Sequence, residues 1–117
     1  MFSKSFSIFV FNKSKLSLCA NFGNVSATTY YAGGIVGRNY NTTIISGCYN
    51  SGEISTAAFN AGGIVGLSAY GILTVNDCYN TGTITSVSGG IVGKSDVTTN
   101  INNCYNVGIA NQYIYVT

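Results

Sequence analysis

The chain has 117 residues, one domain's worth, and is 46% hydrophobic but only 7% charged, with 15 glycines and no proline, tryptophan or histidine. An ordinary globular domain carries about 25% charged residues, so Ser, Thr, Asn and Tyr must cover this surface. A net charge of +2 from five bases and three acids gives no electrostatic footprint for nucleic acid. No apolar run approaches the ~20 residues that span a bilayer, so no membrane insertion is expected. Helix formers are scarce while β-branched and aromatic residues abound, which favours strands.

In chain order, Met1 to Lys15 is apolar and basic, with Phe2, Phe6, Ile8, Phe9, Val10 and Phe11 among Lys4, Lys13 and Lys15. Its apolar core, Ile8 to Phe11, is too short for a signal peptide and no small-residue cleavage site follows. Cys19 after Leu16-Ser17-Leu18 is a poor lipoprotein cleavage site, because the residue before the cysteine is large. Residues 1–15 read instead as a degenerate N-terminal coil or a cap.

Repeats fill the remainder. Leu16-x-x-Cys19-Ala20-Asn21-x-Gly23-x-Val25 opens the series. It returns as Ile45-x-x-Cys48-Tyr49-Asn50-x-Gly52-x-Ile54, and again as Val75-x-x-Cys78-Tyr79-Asn80-x-Gly82-x-Ile84. The last copy, Ile101-x-x-Cys104-Tyr105-Asn106-x-Gly108, brings its isoleucine, Ile109, one residue early and is truncated. Between copies stands Gly-Gly-Ile-Val-Gly, at Gly33 to Gly37, Gly62 to Gly66 and Gly89 to Gly93. The cysteines recur at 29, 30 and 26 residues. Length varies within Ser26 to Ala32, Ser55 to Ala61 and Thr85 to Ser88, which predicts a protruding loop there. Residues 1–117 read as one segment, with repeats from 16 to 117.

A fixed period of this length marks a stacked-repeat architecture. Alternation puts Cys48, Asn50, Gly52 and Ile54 on an inner face, with Tyr49, Ser51 and Glu53 outside. Glycine pairs suit corners needing positive φ or close backbone approach. The predicted fold is all-β: a right-handed parallel β-helix (β-solenoid) with about one coil per 26–30 residues, three short strands and three corners to each coil. Leucine-rich repeats, propeller blades and the hexapeptide solenoid are excluded by few leucines, a short period and no six-residue rhythm.

Gly-Gly-Ile-Val-Gly followed by x-Cys-Tyr-Asn-x-Gly resembles the GLUG motif, over Leu16 to Gly108. That repeat is found in large bacterial surface and secreted proteins, including adhesin-like proteins and regions preceding some immunoglobulin A metallopeptidases. The resemblance implies an extracellular or cell-surface location and a repetitive β-rich stalk or passenger, with no catalytic role for the repeat itself.

The columns that such a fold creates decide the chemistry. Cys19, Cys48, Cys78 and Cys104 would line up about one strand spacing apart, and four thiols in a row cannot surround a tetrahedral zinc ion. In-register side chains also point the same way, which strains a disulfide, so buried free thiols are expected. Asn21, Asn50, Asn80 and Asn106 would bond coil to coil as an amide ladder. Ile35, Ile64 and Ile91 would form an inward column. Tyr49, Tyr79 and Tyr105 form an outward stripe, a candidate contact surface for sugar rings or a protein. The only acids, Glu53, Asp77 and Asp96, occupy unlike phases, so no carboxylate pair is expected. The glycine runs lack the Lys-Thr ending of a phosphate loop.

The expected function is a non-enzymatic structural or adhesive segment without a cofactor. The alternative is a carbohydrate-binding or polysaccharide-processing β-helix. Expected partners are neighbouring repeats of a longer chain or end-to-end copies of this one, with a host protein or glycan as outside partner.

Overall fold

The computed structural model describes residues 9–10, 13–28, 30–57, 60–85 and 88–110. Among them every regular element is a strand, and all strand pairs are parallel. The expected solenoid is what the chain forms. Its first coil holds β2 (Ser14–Ser17), β3 (Ala20–Asn21), β4 (Val25–Ala27), β5 (Ala32–Gly33) and β6 (Val36–Asn39). The second holds β7 (Thr43–Ser46), β8 (Tyr49–Asn50), β9 (Ile54–Thr56), β10 (Ala61–Gly62) and β11 (Val65–Ser68). The third holds β12 (Leu73–Asn76), β13 (Tyr79–Asn80), β14 (Ser88–Gly89) and β15 (Val92–Ser95). Ile84 bridges Ile54 where a further strand would stand. A fourth coil begins with β16 (Thr99–Asn102) and β17 (Tyr105–Asn106), and β1 (Phe9–Val10) precedes them all.

Each strand pairs with its counterpart one coil away, giving sheets ordered β1-β6-β11-β15, β5-β10-β14, β2-β7-β12-β16, β3-β8-β13-β17 and β4-β9. Leu16, Ile45, Val75 and Ile101 share one register position, so a single column of branched side chains runs the length of the solenoid. Strand β2 starts at Ser14, so the first coil begins inside the stretch that reads as a cap.

A complete coil contains five short strands rather than the expected three. Two devices add the breaks. The residue before each motif cysteine takes a left-handed backbone: Leu18 (φ 54°), Gly47 (φ 64°), Asp77 (φ 53°) and Asn103 (φ 52°). The glycine pair adds the other break, by close approach and not by positive φ. A Cβ on Gly62 would lie 1.9 Å from the Val65 carbonyl oxygen, and one on Gly33 2.0 Å from that of Val36.

The expected protruding loop is shorter than its sequence limits. Ser26 and Ala27 continue β4, Ser55 and Thr56 continue β9, and the buried Ala32, Ala61 and Ser88 open the next sheet. Its middle positions, 29, 58–59 and 86–87, lie outside the described residues.

Two apolar columns fill the interior. One collects Ile35, Ile64 and Ile91 with the neighbouring valines, the Ile45 column and the cysteines. The other collects Val25, Ala32, Ile54, Ala61 and Ile84. Burial of such a branched side chain contributes about 1.5–3 kcal/mol, and no coil achieves it without the next. The early isoleucine of the last copy resolves here. Ala110 takes the inward position of Ile54 and Ile84, and Ile109 points outward at 70% exposure.

Candidate functional site

The asparagine column is the most fully bonded feature of the interior. Asn21 Nδ2 donates to Asn50 Oδ1 at 2.7 Å, Asn50 to Asn80 at 2.7 Å, and Asn80 to Asn106 at 2.6 Å. Each amide also donates to the carbonyl of the glycine two residues on. The amides of Gly52, Gly82 and Gly108 return a bond to the same asparagine oxygen at 3.2 Å. Asn50 and Asn80 therefore use both donors and accept twice, which is what a wholly buried amide requires. The x-Gly step after Asn is needed because a Cβ on Gly52 or Gly82 would meet the preceding coil's carbonyl oxygen at 2.0 Å.

The cysteines form the neighbouring column, and none of the four is in a disulfide. The Cys19 and Cys48 amides reach the next coil's sulfur at 3.4 Å. Each thiol reaches back to the carbonyl two residues earlier: Cys19 to Ser17, Cys48 to Ser46, Cys78 to Asn76 and Cys104 to Asn102. Burial pushes the Cys48 thiol up. Side-chain hydrogen bonding with Cys104, with burial second, holds Cys78 well above the ordinary thiol range. The same interaction favours the thiolate at Cys104 and brings it down to about 7. Among the described residues no group of three or more Cys, His, Asp or Glu is placed to hold a metal ion.

Outside, Tyr49, Tyr79 and Tyr105 share one register position, and successive rings stack at 5.0 Å with 3° between planes. Phe22 stands edge-on to Tyr49 at 5.4 Å. The rings thus turn their faces to one another and their edges outward. Tyr105, half exposed, has its second face without a ring partner among the described residues.

The acids do not converge on a paired arrangement. Glu53 lies on the outer face, its amide bonded to Asn24 Oδ1; Asp77 sits on a left-handed corner and accepts from Asn103; Asp96 faces Lys94 at 3.8 Å.

Two features escaped the sequence reading. Arg38 lies beside the Tyr30, Tyr31 and Tyr40 rings at 5.7, 5.5 and 4.9 Å and bonds the Tyr40 hydroxyl, while Tyr40 stacks on Tyr70 at 5.7 Å. The repeat does not announce this cluster, because the register position of Arg38 is taken by Leu67 and Lys94 in the following coils. An open hollow of about 230 Å³ lies among Lys13, Ser14, Lys15, Thr42 and Ile44.

Geometry and sequence together define a parallel β-solenoid repeat protein. The family model for the GLUG motif matches residues 28–55, so the chain carries a GLUG repeat region, with the same landmarks recurring in the following coils. No curated protein and no solved structure matches the chain.

Proposed function

We propose that the chain is a non-enzymatic structural or adhesive repeat segment of a secreted or cell-surface protein, spacing or presenting whatever adjoins it. One observation carries this reading. The asparagine amides are bonded to each other and to their own coil, so the polar interior is committed to holding coil on coil. The extracellular or cell-surface setting is supported by the GLUG motif. Spin labels on the first and fourth coils test the spacer: a narrow distance distribution is expected, and a broad one would sink it. Protease treatment of intact cells tests the setting, with cleavage expected.

A second reading, a carbohydrate-binding or polysaccharide-processing module, rests on the tyrosine stripe. A sugar ring stacks on an aromatic face, and here only the terminal ring offers one. Retention of an oligosaccharide on a glycan array, abolished by Tyr105→Ala, would establish binding in place of spacing alone. Release of reducing ends from a retained glycan would establish catalysis.

A further inference from the structure

We propose that the two ends of this solenoid are complementary, so that copies stack head to tail, with β1 of one copy pairing with β15 of the copy before it. The inference stands on sheet topology and bond polarity, independently of the function proposed above.

Topology makes the ends into matching steps. Among the described residues the fourth coil has strands β16 and β17 and the Ala110 bridge, but none in the sheet of β6, β11 and β15. At the other end, β1 belongs to that sheet alone, paired Phe9 with Arg38 and Val10 with Asn39. Strand β1 therefore projects one level beyond β2 and β3, and β16 and β17 project one level beyond β15. Placed end to end, β1 of the second copy falls on β15 of the first. In the same register β2 falls on β16 and β3 falls on β17.

Bond polarity agrees with that register. Along the ladder each asparagine donates Nδ2 to Oδ1 of the following coil. Among the described residues Asn106 Nδ2 donates only to Gly108, and Asn21 Oδ1 accepts nothing. Backbone bonds at the next position run the opposite way: Ser51 N–H donates to Asn21 C=O, Thr81 to Asn50, and Val107 to Asn80. Phe22 occupies that phase in the first coil, so its N–H points off the end, as the Asn106 carbonyl does at the other. A second copy receives the amide proton of Asn106 on Asn21 and gives the Phe22 N–H in return. Apolar burial points the same way. Ile45 and Val75 are fully buried, whereas Leu16 and Ile101 at the ends of the same column are half-buried and would cover each other. In that register Lys15 of β2 falls on Asn100 of β16, so the lysine of this edge strand meets a neutral side chain.

Sedimentation and electron microscopy of the full 117-residue chain test this. Average mass should rise steadily with concentration. Fibres should repeat at about 19 Å, four coils at the strand spacing of about 4.8 Å. Compared with Phe22→Ala, which loses the ring that stands edge-on to Tyr49, Phe22→Pro also removes the N–H that points off the end, at an edge position where proline is tolerated. It should weaken assembly about tenfold or more while circular dichroism stays unchanged. Added in small amounts to the unaltered chain, it should shorten fibres, because it joins by its intact C-terminal end and then stops growth. Asn106→Asp keeps the acceptor that serves Asn80 and Gly108 but turns a carboxylate toward Asn21, and it should block the other end. A chain that stays monomeric at every concentration overturns the proposal, and so does a fibre with a different rise. Assembly unchanged in both variants overturns it equally.

Discussion

The inner and outer coils carry nearly the same sequence unit yet live in different environments. Ile45, Cys48 and Asn50 of the second coil, and Val75, Cys78 and Asn80 of the third, are wholly buried. Their counterparts Leu16, Cys19 and Asn21 in the first coil are only half-buried, as are Ile101 and Asn106 in the fourth. The unit does not contain its own core. Each coil is finished by its neighbours, so the same substitution should cost most in the middle and least at the first coil.

Glycine after the asparagine gives the widest contrast. Gly52→Ala would set a methyl 2.0 Å from the Gly23 carbonyl oxygen, a backbone atom that cannot swing away, whereas a Cβ on Gly23 meets nothing nearer than Asn21 Oδ1 at 4.0 Å. Gly52→Ala should therefore destabilise by more than about 4 kcal/mol or prevent folding, and Gly23→Ala should change stability by less than about 1 kcal/mol. Urea titration of the pair decides it, and equal effects would break the inner–outer distinction.

Asparagine truncation comes next. Asn80→Ala removes four bonds: the Asn50 amide and the Asn106 oxygen each keep one of two partners, and the Gly82 N–H and C=O lose their bonds to the Asn80 side chain, at a cost of about 3 kcal/mol or more. Asn21→Ala removes two bonds at a partly exposed site and should cost about 1 kcal/mol. A double-mutant cycle on Asn50 and Asn80 should show strong coupling, and additive losses would contradict a ladder.

The thiols sharpen the contrast in pH. Cys48 and Cys78, in the inner coils, are held up relative to the unfolded value of 9.0. Their stabilisation is complete below pH 9 and is lost as pH rises from there toward the folded values, by up to about 1.4 kcal/mol per pH unit for each thiol. Cys104, in the last coil, is brought down to about 7, so its contribution is complete above pH 9 and fades as pH falls toward 7. Thermal melts should peak near pH 9, and Cys78→Ala should flatten both limbs. An unaltered alkaline limb in that variant would show that Cys78 is not its source.

Much of this was legible because the repeat phase fixes which residues meet. Once Cys48, Cys78 and Cys104 share a phase, parallel register follows, and with it the asparagine, isoleucine and tyrosine columns. What phase does not encode is backbone curvature and ring attitude. The glycine pairs looked equally suited to positive φ and to close approach, and only the packed Val36 and Val65 carbonyls distinguish the two. The early Ile109 reads as an error of spacing, whereas the chain keeps its spacing and lets Ala110 take the inner place. The tyrosine stripe is plain in the sequence, but whether its rings show faces or edges depends on stacking across coils.

The smallest expected effect concerns the left-handed corner, where Leu18, Gly47, Asp77 and Asn103 share a backbone conformation but no side-chain chemistry. Glycine adopts it freely and Asn or Asp at little cost, whereas leucine is strained there by roughly 1–2 kcal/mol. The Leu18 side chain recovers little of this by packing, since it is 87% exposed and touches mainly the next corner, at Gly47. Leu18→Gly relieves the strain but loosens the unfolded chain by roughly 0.5–1 kcal/mol, so the net gain should be a few tenths to about 1 kcal/mol. Leu18→Asn keeps a side chain, avoids most of that entropy and should gain as much. The reverse change at the equivalent inner corner, Gly47→Ala, meets Leu18 Cδ2 at 3.1 Å as well as the φ penalty and should cost about 1 kcal/mol. Melting temperatures of the three variants set the order. If Leu18→Gly and Leu18→Asn both lower stability, the exposed leucine is a packing contact after all and strain is not what distinguishes the first corner.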